Sequence, residues 1–393
     1  MISSTPNLPG RFVVATPGRS VCDDHARALA RHGSLRCFCL GTRRGSHGIP
    51  PELTRLQPSF GLAAYVAAKT CSVFAAESFR FRMHPLFDRF VRRQLRSGDH
   101  IISSYGYAND SFRWVREHGG KTFVDAGNSH PANFWAILTE EHERWRCPYP
   151  PVARHHHERS LAMMELVDYV LSPSLFVTRS FLERGFRPGQ ILRNVYALDL
   201  SCFYPPKEPR PANRPFTVIA PGSLSLRKGT PYLLEAFKLV LKQAPGARLV
   251  LNRLVSDNVT EVVRRYADLP IDWHPALAHP QLAELMRGAD LLALPSLEDG
   301  FARTVTEGLA CGLPVVTTPN TGASDLIVPD RNGEIVPIRD APALAAAMLK
   351  WRDRILSAGG RPPIEFSGDQ VSFANFEQEF LGHLRSLGVL PPP

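Results

Sequence analysis

The sequence predicts an α/β protein built from two doubly wound parallel-sheet domains in tandem. Three observations point there. Short apolar runs of strand length alternate with helix-length amphipathic stretches, the βαβ rhythm of a parallel sheet. That rhythm is interrupted by Pro205-Pro206-Lys207-Glu208-Pro209-Arg210-Pro211, which neither a helix nor a central strand tolerates, and then restarts. The length, 393 residues, suits two or three domains that each bury a core of their own.

The first strand covers residues 11–16, Pro17 to Ser20 make the turn, and a helix over 23–31 is stopped by Gly33. Further strands fall at 35–40, 100–104, 121–125 and 169–172, with helical segments between them. The second half opens with strand 216–220, helix 230–243, strand 248–252 and helix 257–267. It continues with strand 271–274, helix 281–288, strand 290–294, helix 303–311 and strand 314–318. Asn332 and Gly333 form a turn before a strand over 335–338. In 375–387, Phe376, Phe380, Leu381 and Leu384 recur at helical spacing and predict a last amphipathic helix. The expected division is a first Rossmann-like domain over 1–205, a second over 206–370, and a C-terminal helix with its tail over 371–393.

Composition narrows the class. Hydrophobic residues make up 44% and charged residues 21%, which argues against global disorder and against a coiled-coil rod. The net charge of +9 lies entirely in the first 200 residues, which carry 26 basic and 17 acidic side chains, so the second half is neutral. A basic half suits an anionic surface or a phosphorylated substrate. Seven cysteines, with no CxxC pair, fit neither a disulfide framework nor a zinc site and suggest a reducing compartment. Cys37 and Cys39 share one face of a strand as small buried hydrophobes. The opening residues lack a secretory pattern, and the most apolar stretch, 60–76, is too short and too polar to span a bilayer. The expected location is cytoplasmic, peripheral at the inner membrane face if the basic helix below meets lipid.

The most informative stretch is 295–316. A strand ends at Leu294, a loop carries Asp299, Gly300, Phe301 and Ala302, and a helix runs from Arg303 to Gly312, so its first amides face the carboxyl edge of the sheet. That is an anion site. Gly300 lets backbone approach the ligand, while Asp299 and Glu307 can accept hydrogen bonds from its hydroxyls. Taken singly, Asp299 reads as an N-cap and Glu307 as an exposed helix position. A second loop, Gly222 to Gly229 with Ser223, Arg227 and Lys228, also joins a strand to a helix and suits a pyrophosphate. By themselves Arg227 and Lys228 would be a solvated pair in a turn.

Together these segments resemble the donor-binding signature of the retaining GT-B glycosyltransferases of family 4, in which two acidic residues with seven positions between them flank a Gly-Phe-Gly stretch. Asp299 and Glu307 have that spacing, and Ala310-Cys311-Gly312-Leu313-Pro314-Val315-Val316 matches the family's continuation. Two departures stand out: Asp299 replaces the usual Glu, and Ser223 replaces an arginine. The resemblance implies a GT-B fold, two Rossmann-like doubly wound domains facing a central cleft. It implies that Lys228 and the Gly300 to Ala302 backbone stabilise a departing diphosphate, with Glu307 on ribose hydroxyls and Asp299 on the sugar. Gly222, Ser223, Arg227, Asn252, Arg253, Pro275, Ala276 and Leu277 complete the donor site, the last five at strand ends where this family cradles the base. In the first domain Gly18 corresponds to the turn beside the donor phosphate. His130, at the end of Val124-Asp125-Ala126-Gly127-Asn128-Ser129-His130, corresponds to a histidine near the transferred sugar; a satisfied loop histidine is the alternative.

His155, His156 and His157 are adjacent and cannot easily converge on one ion, and no Asp-x-Asp pair occurs, so neither a metal nor a separate cofactor is expected. Residues 85–96 alternate Phe87, Phe90, Val91 and Leu95 with Arg89, Arg92, Arg93 and Arg96, a basic amphipathic helix that suits an anionic membrane as well as it suits packing on the sheet. Nucleic acid is not an expected partner. The expected function is transfer of a sugar from a nucleotide-sugar donor to a glycan, lipid-linked or other hydroxyl acceptor. A catalytically weakened nucleotide-sugar- or glycan-binding subunit and a GT-B sugar-nucleotide epimerase stay open beside it.

Overall fold

The computed structural model describes residues 11–18, 20–41, 48–57, 82–147, 149, 151–207, 214–256 and 259–391. Residues of interest outside that set are Arg19, the 60–76 stretch with Cys71, Arg80, Phe81, the prolines at 209 and 211, and Asp257. Two all-parallel sheets organise the chain. The first contains β1 (Phe12–Thr16), β2 (Leu35–Leu40), β3 (Thr54–Leu56), β4 (His100–Ser104), β5 (Thr122–Asp125), β6 (Tyr169–Ser172) and β7 (Ile191–Arg193) in the order β3-β2-β1-β4-β5-β6-β7. The second contains β8 (Thr217–Ala220), β9 (Arg248–Asn252), β10 (Ile271–His274), β11 (Leu291–Leu294), β12 (Val315–Thr317) and β13 (Gly333–Ile335) in the order β10-β9-β8-β11-β12-β13. The strand order reverses beside β1 and beside β8, the switch points where open α/β sheets leave a crevice. Helices cover both faces, so the central strands are buried throughout, as the unbroken apolar run of β1 requires.

The first-domain helices are α1 (Cys22–Arg31), α2 (His84–Arg92), α3 (Asn109–Glu117), α4 (Pro131–Arg144), α5 (Pro151–Met164) and α6 (Leu175–Leu182). Around the second sheet lie α7 (Thr230–Leu241), α8 (Thr260–Arg264), α9 (His279–Gly288), α10 (Arg303–Ala310) and α11 (Ala341–Ser357), and α12 (Phe373–Ser386) ends the chain. Most predicted elements appear within a residue or two. The strand expected over 335–338 instead begins at Gly333, which pairs with Val315; a Cβ there would sit 2.0 Å from the Val315 carbonyl oxygen, so only glycine fits. The helix expected over 257–267 is the short α8. Cys37 and Cys39 lie buried on one strand face, their sulfurs 3.9 Å apart.

Of the two roles open to the basic helix, the structure shows packing on the sheet. In α2, Phe87 and Val91 are fully buried in the first core, followed by Leu95, while Arg89 and Arg93 stay exposed. Arg92 lies over the Trp114 ring, 3.8 Å from its centroid. Most of the apolar face that suited lipid is thus covered by the sheet, leaving mainly arginines outside.

The last helix returns to the first domain. Phe376, Phe380, Leu381 and Leu384 on α12 join the core formed by Phe12, Leu29, Phe38 and Phe123. The His25 ring of α1 meets Phe376 and Phe380 edge-on at 5.0 and 4.7 Å, and Asn194 Nδ2 donates to the Phe376 carbonyl at 3.2 Å. Burial drives the His25 pKa down to about 3, so the ring is neutral and behaves as an aromatic core residue. Phe380→Ala should destabilise this domain by about 3–5 kcal/mol in urea unfolding followed by circular dichroism; a loss below about 1 kcal/mol would mean α12 contributes little to the core.

Candidate active site between the two sheets

Two loops at the carboxyl edges of the sheets touch. The loop after β5, Ala126 to His130, meets the loop after β11, Pro295 to Ala302. A Cβ on Gly300 would stand 2.1 Å from the Gly127 carbonyl oxygen, and one on Gly322 would stand 1.9 Å from the Gly300 carbonyl oxygen. The absence of a side chain at Gly300, read from sequence as room for a ligand, therefore permits contact between the domains. Around it the Ser129 amide donates to Glu298 Oε1 at 2.8 Å, Ser174 Oγ donates to the Gly300 carbonyl at 2.8 Å, and the Leu175 amide donates to Asp325 Oδ2 at 2.7 Å.

The loop between β8 and α7 brings the cations to this junction. Gly222 has φ 114° and Gly229 φ 67°, and a Cβ on Gly229 would collide with the Pro295 carbonyl at 2.0 Å, so the turn is fixed by glycine. Lys228 Nζ pairs directly with Asp299 Oδ2. Arg227 Nη1 donates to the Glu298 carbonyl at 2.9 Å and meets its carboxylate at 3.3 Å. Glu298 is fully buried, and burial raises its pKa against the pull of Arg227 and the Ser129 amide. For Asp299 burial also pushes upward, but Lys228, Arg227 and the Ala302 amide outweigh it and hold the carboxyl below its ordinary value. Arg227, expected among the donor-binding residues, is in the structure a tie to Glu298.

Asn252 also serves the scaffold: its Oδ1 accepts from the Gly222 amide at 3.0 Å and its Nδ2 donates to the Pro275 carbonyl at 2.9 Å, joining two loops of the predicted donor site. Ser223, Arg253, Pro275 and Ala276 are exposed, and Leu277 is half-buried. A Cβ on Gly18 or Gly222 would meet nothing within 4 Å, so the structure has open space beside both turns.

Helix α10 supplies the rest. Ala302, where the family pattern has glycine, adopts φ 60° as its N-cap, and the Ala302 amide donates to Asp299 Oδ1 at 3.0 Å. That amide is therefore engaged, and Phe301 is buried against Tyr196 with ring centroids 5.7 Å apart. What α10 offers an anion is the amides of Arg303 and Thr304, which lack intrahelical acceptors by geometry, whereas the Val305 amide donates to the Ala302 carbonyl at 3.0 Å. Glu307 lies one turn further in. It is only 7% exposed, and among the described residues its carboxylate has no hydrogen-bond or ion-pair partner. Burial raises its pKa, with the charges of His279 and Arg303 acting in the opposite direction. Asp299 and Lys228 are thus in contact, whereas Glu307 stands apart from that pair.

On the first domain, His130 is the N-cap of α4. Its Nδ1 accepts from the Ala132 amide at 3.2 Å, its own amide donates to Ser180 Oγ at 2.9 Å, and its ring abuts Phe181 and Phe186. An accepting Nδ1 puts the proton on Nε2. Burial, assisted by Arg184 and His157, lowers its pKa to about 4, so His130 is a neutral donor at ordinary pH. Nearby at the ends of β1, β4 and β5, Asp125 accepts from Tyr196 at 2.9 Å and from Cys22 at 3.3 Å, and burial lifts its pKa to about 6. No periodicity or motif picks out Tyr196 or Cys22 as its partners. His157 stacks on Trp135 at 4.5 Å while His156 faces Tyr107, so these two members of the histidine triplet diverge.

Residues 215–353 match the family model "Glycosyl transferases group 1". A D-inositol 3-phosphate glycosyltransferase of Segniliparus rotundus is 31% identical over 159 residues, covering 37% of this chain and 35% of that protein. The corresponding protein of an Arthrobacter species is 29% identical over 35% of this chain and 36% of its own, so the matched stretches span about a third of these relatives. A putative glycosyltransferase EpsD of Bacillus subtilis is 23% identical over 65% of this chain and 69% of its own. Among solved structures, a sucrose-phosphate synthase from Thermosynechococcus elongatus superposes with TM-score 0.64 at 18% identity, covering 96% of this chain and 99% of that one. Anabaena HepE in complex with UDP and glucose superposes with TM-score 0.60 at 15% identity, covering 96% and 100%. The fold is GT-B.

Two measurements check this geometry. Long-range proton–nitrogen NMR should find His130 as the Nε2–H tautomer with a midpoint near pH 4; a midpoint near 6.5 would contradict its burial. Because its folded pKa lies below the unfolded value, neutral His130 supports stability above about pH 6.5, and that contribution declines as pH falls toward 4. Gly300→Ala should separate the two loops and lower the melting temperature by several degrees, whereas Gly222→Ala, strained only by its φ, should cost about 1–2 kcal/mol.

Proposed function

We propose that this protein, whose residues 215–353 match the glycosyl transferases group 1 model, moves a sugar from a nucleoside-diphosphate donor to a hydroxyl acceptor, with retention at the anomeric carbon and without a metal. The observation that carries the reading is Glu307: a carboxylate 7% exposed with no described protein partner has its hydrogen-bonding capacity free for a ligand hydroxyl, and it lies on the helix whose N-terminus adjoins Lys228 and Asp299. In this reading the nucleoside end lies between Glu307 and the loop after β10. Lys228 and the first-turn amides of α10 take up the charge that develops on the departing diphosphate. Asp299 aims Lys228 and touches the sugar with its remaining lone pairs. His130 donates Nε2–H to a sugar hydroxyl, and the contact between the loops excludes water from the reacting centre.

The acceptor occupies the first domain beside the open turn at Gly18. The basic charge of that domain suits a phosphorylated or lipid-linked glycan, and the arginine face of α2 suits an anionic surface as a peripheral contact at the inner membrane face. HepE was crystallised with UDP and glucose, which puts uridine diphosphate first among the donors to try. A second reading, a nucleotide-sugar-binding subunit without transfer activity, is favoured by one observation: Arg227 and Lys228 are both already paired with carboxylates.

A panel of nucleoside diphosphates tested by thermal shift separates these. At about 100 times its dissociation constant the right ligand adds roughly 2.7 kcal/mol of stability. Glu307→Gln should weaken that response at least tenfold in ligand concentration; an equal response would remove Glu307 from the site. Sugar transfer and donor hydrolysis measured on the same protein then distinguish an enzyme from a binding subunit, and product analysis without acceptor would reveal an epimerase.

A further inference from the structure

Helix α4 joins the two domains at both of its ends. At its start the Ser129 amide binds Glu298. Eleven residues past His130, about 16 Å along the axis, Glu141 is fully buried in a second junction. Its Oε1 accepts from Trp145 Nε1 at 2.8 Å within the first domain and from Tyr232 OH of the second domain at 2.7 Å. Its Oε2 accepts from Arg339 Nε, also of the second domain, at 2.8 Å, and Arg339 Nη1 reaches Glu140 at 2.9 Å. Trp145 and Cys147 pack against the core of the second domain beside these bonds.

Two details show that this junction is built. Arg339 holds φ 63°, a left-handed conformation rare for a side chain that lacks glycine's freedom, and that conformation sits where its guanidinium reaches Glu141. Tyr232 is the third residue of α7, the helix that begins immediately after Lys228 and Gly229. The carboxylate therefore clamps the far end of α4, whose start carries His130, to the start of α7, just after Lys228. A small rotation at the clamp becomes a displacement between those two groups.

We infer that Glu141 is a positioning residue, a latch that with Arg339 and Tyr232 holds the domains closed and sets the distance between His130 and Lys228. This rests on the proposed transfer reaction only for its kinetic consequence; the latch itself is a property of the fold. Opening the domains would break the Tyr232 and Arg339 bonds to Glu141 and uncover the Trp145 and Cys147 packing, and removing one charged partner leaves the other buried and unpaired in the closed form.

Arg339→Met removes the tie from the second domain and leaves α4 untouched, while Glu141→Gln retains an oxygen for Tyr232 and turns a donor toward Arg339. Each should lower kcat by about tenfold or more with donor KM changed less, because Lys228, Asp299, Glu307 and the α10 amides all stay together on the second domain while the 126–130 loop is displaced. The double variant should be no worse than the poorer single one, since both remove the same contact. Small-angle scattering should show a larger radius of gyration for each variant. Unchanged kcat in folded variants, or additive losses in the double variant, would overturn the inference. If the wild type transfers no sugar from any donor, the proposed function fails, and scattering still decides the latch: an unchanged radius of gyration in both singles would refute it.

Discussion

The structure depends on one close approach, the backbone of Gly300 laid against the backbone of Gly127. The loop after β11 has no room for a side chain at Gly300, and the approach lets the Ser129 amide reach the buried Glu298 carboxylate and lets Arg227 neutralise it from behind. A buried carboxylate persists only when paired and hydrogen-bonded, so each member of this set requires the others. Two sheets that could form separately are thereby fixed in register, with the ends of β5 and β11 forming the floor of a crevice.

Electrostatics at that floor explains why the site can be assembled with so many charges close together. Lys228 and Arg227 face Asp299 and Glu298, and the four groups balance. Glu307 is outside the balance, as is His130, which is neutral because burial has lowered its pKa. An incoming diphosphate would add negative charge beside Lys228 and the tip of α10, while hydroxyl groups would satisfy Glu307. The fixed pairs serve to orient and the unmatched groups serve to bind.

Much of the fold was legible because its signals are local. Strand-length apolar runs fixed β1, β2, β4 and β6, and the prolines from Pro205 marked the passage to the second sheet. The three-residue strands β3 and β7 were too short for any period to show. The motif loops were also found, since glycine, lysine and acidic residues occur there in fixed spacing. Their partners were not: nothing near Gly300 in sequence indicates Gly127, and Glu141 looks like any helical glutamate until Tyr232 and Arg339, 91 and 198 positions away, close around it. For the same reason α12 was read as a separate tail although its phenylalanines complete the first-domain core around Phe12, Phe38 and Phe123.

The central claim is that a nucleoside diphosphate binds at Lys228 between the two sheets. Hydrogen–deuterium exchange with and without uridine diphosphate, and the best-binding alternative base, tests it directly. The account predicts slower exchange in 222–229, in the first turn of α10 and in 126–130 together. Protection confined to another surface, or to the second domain alone with 126–130 unaffected, would contradict a site built by both domains.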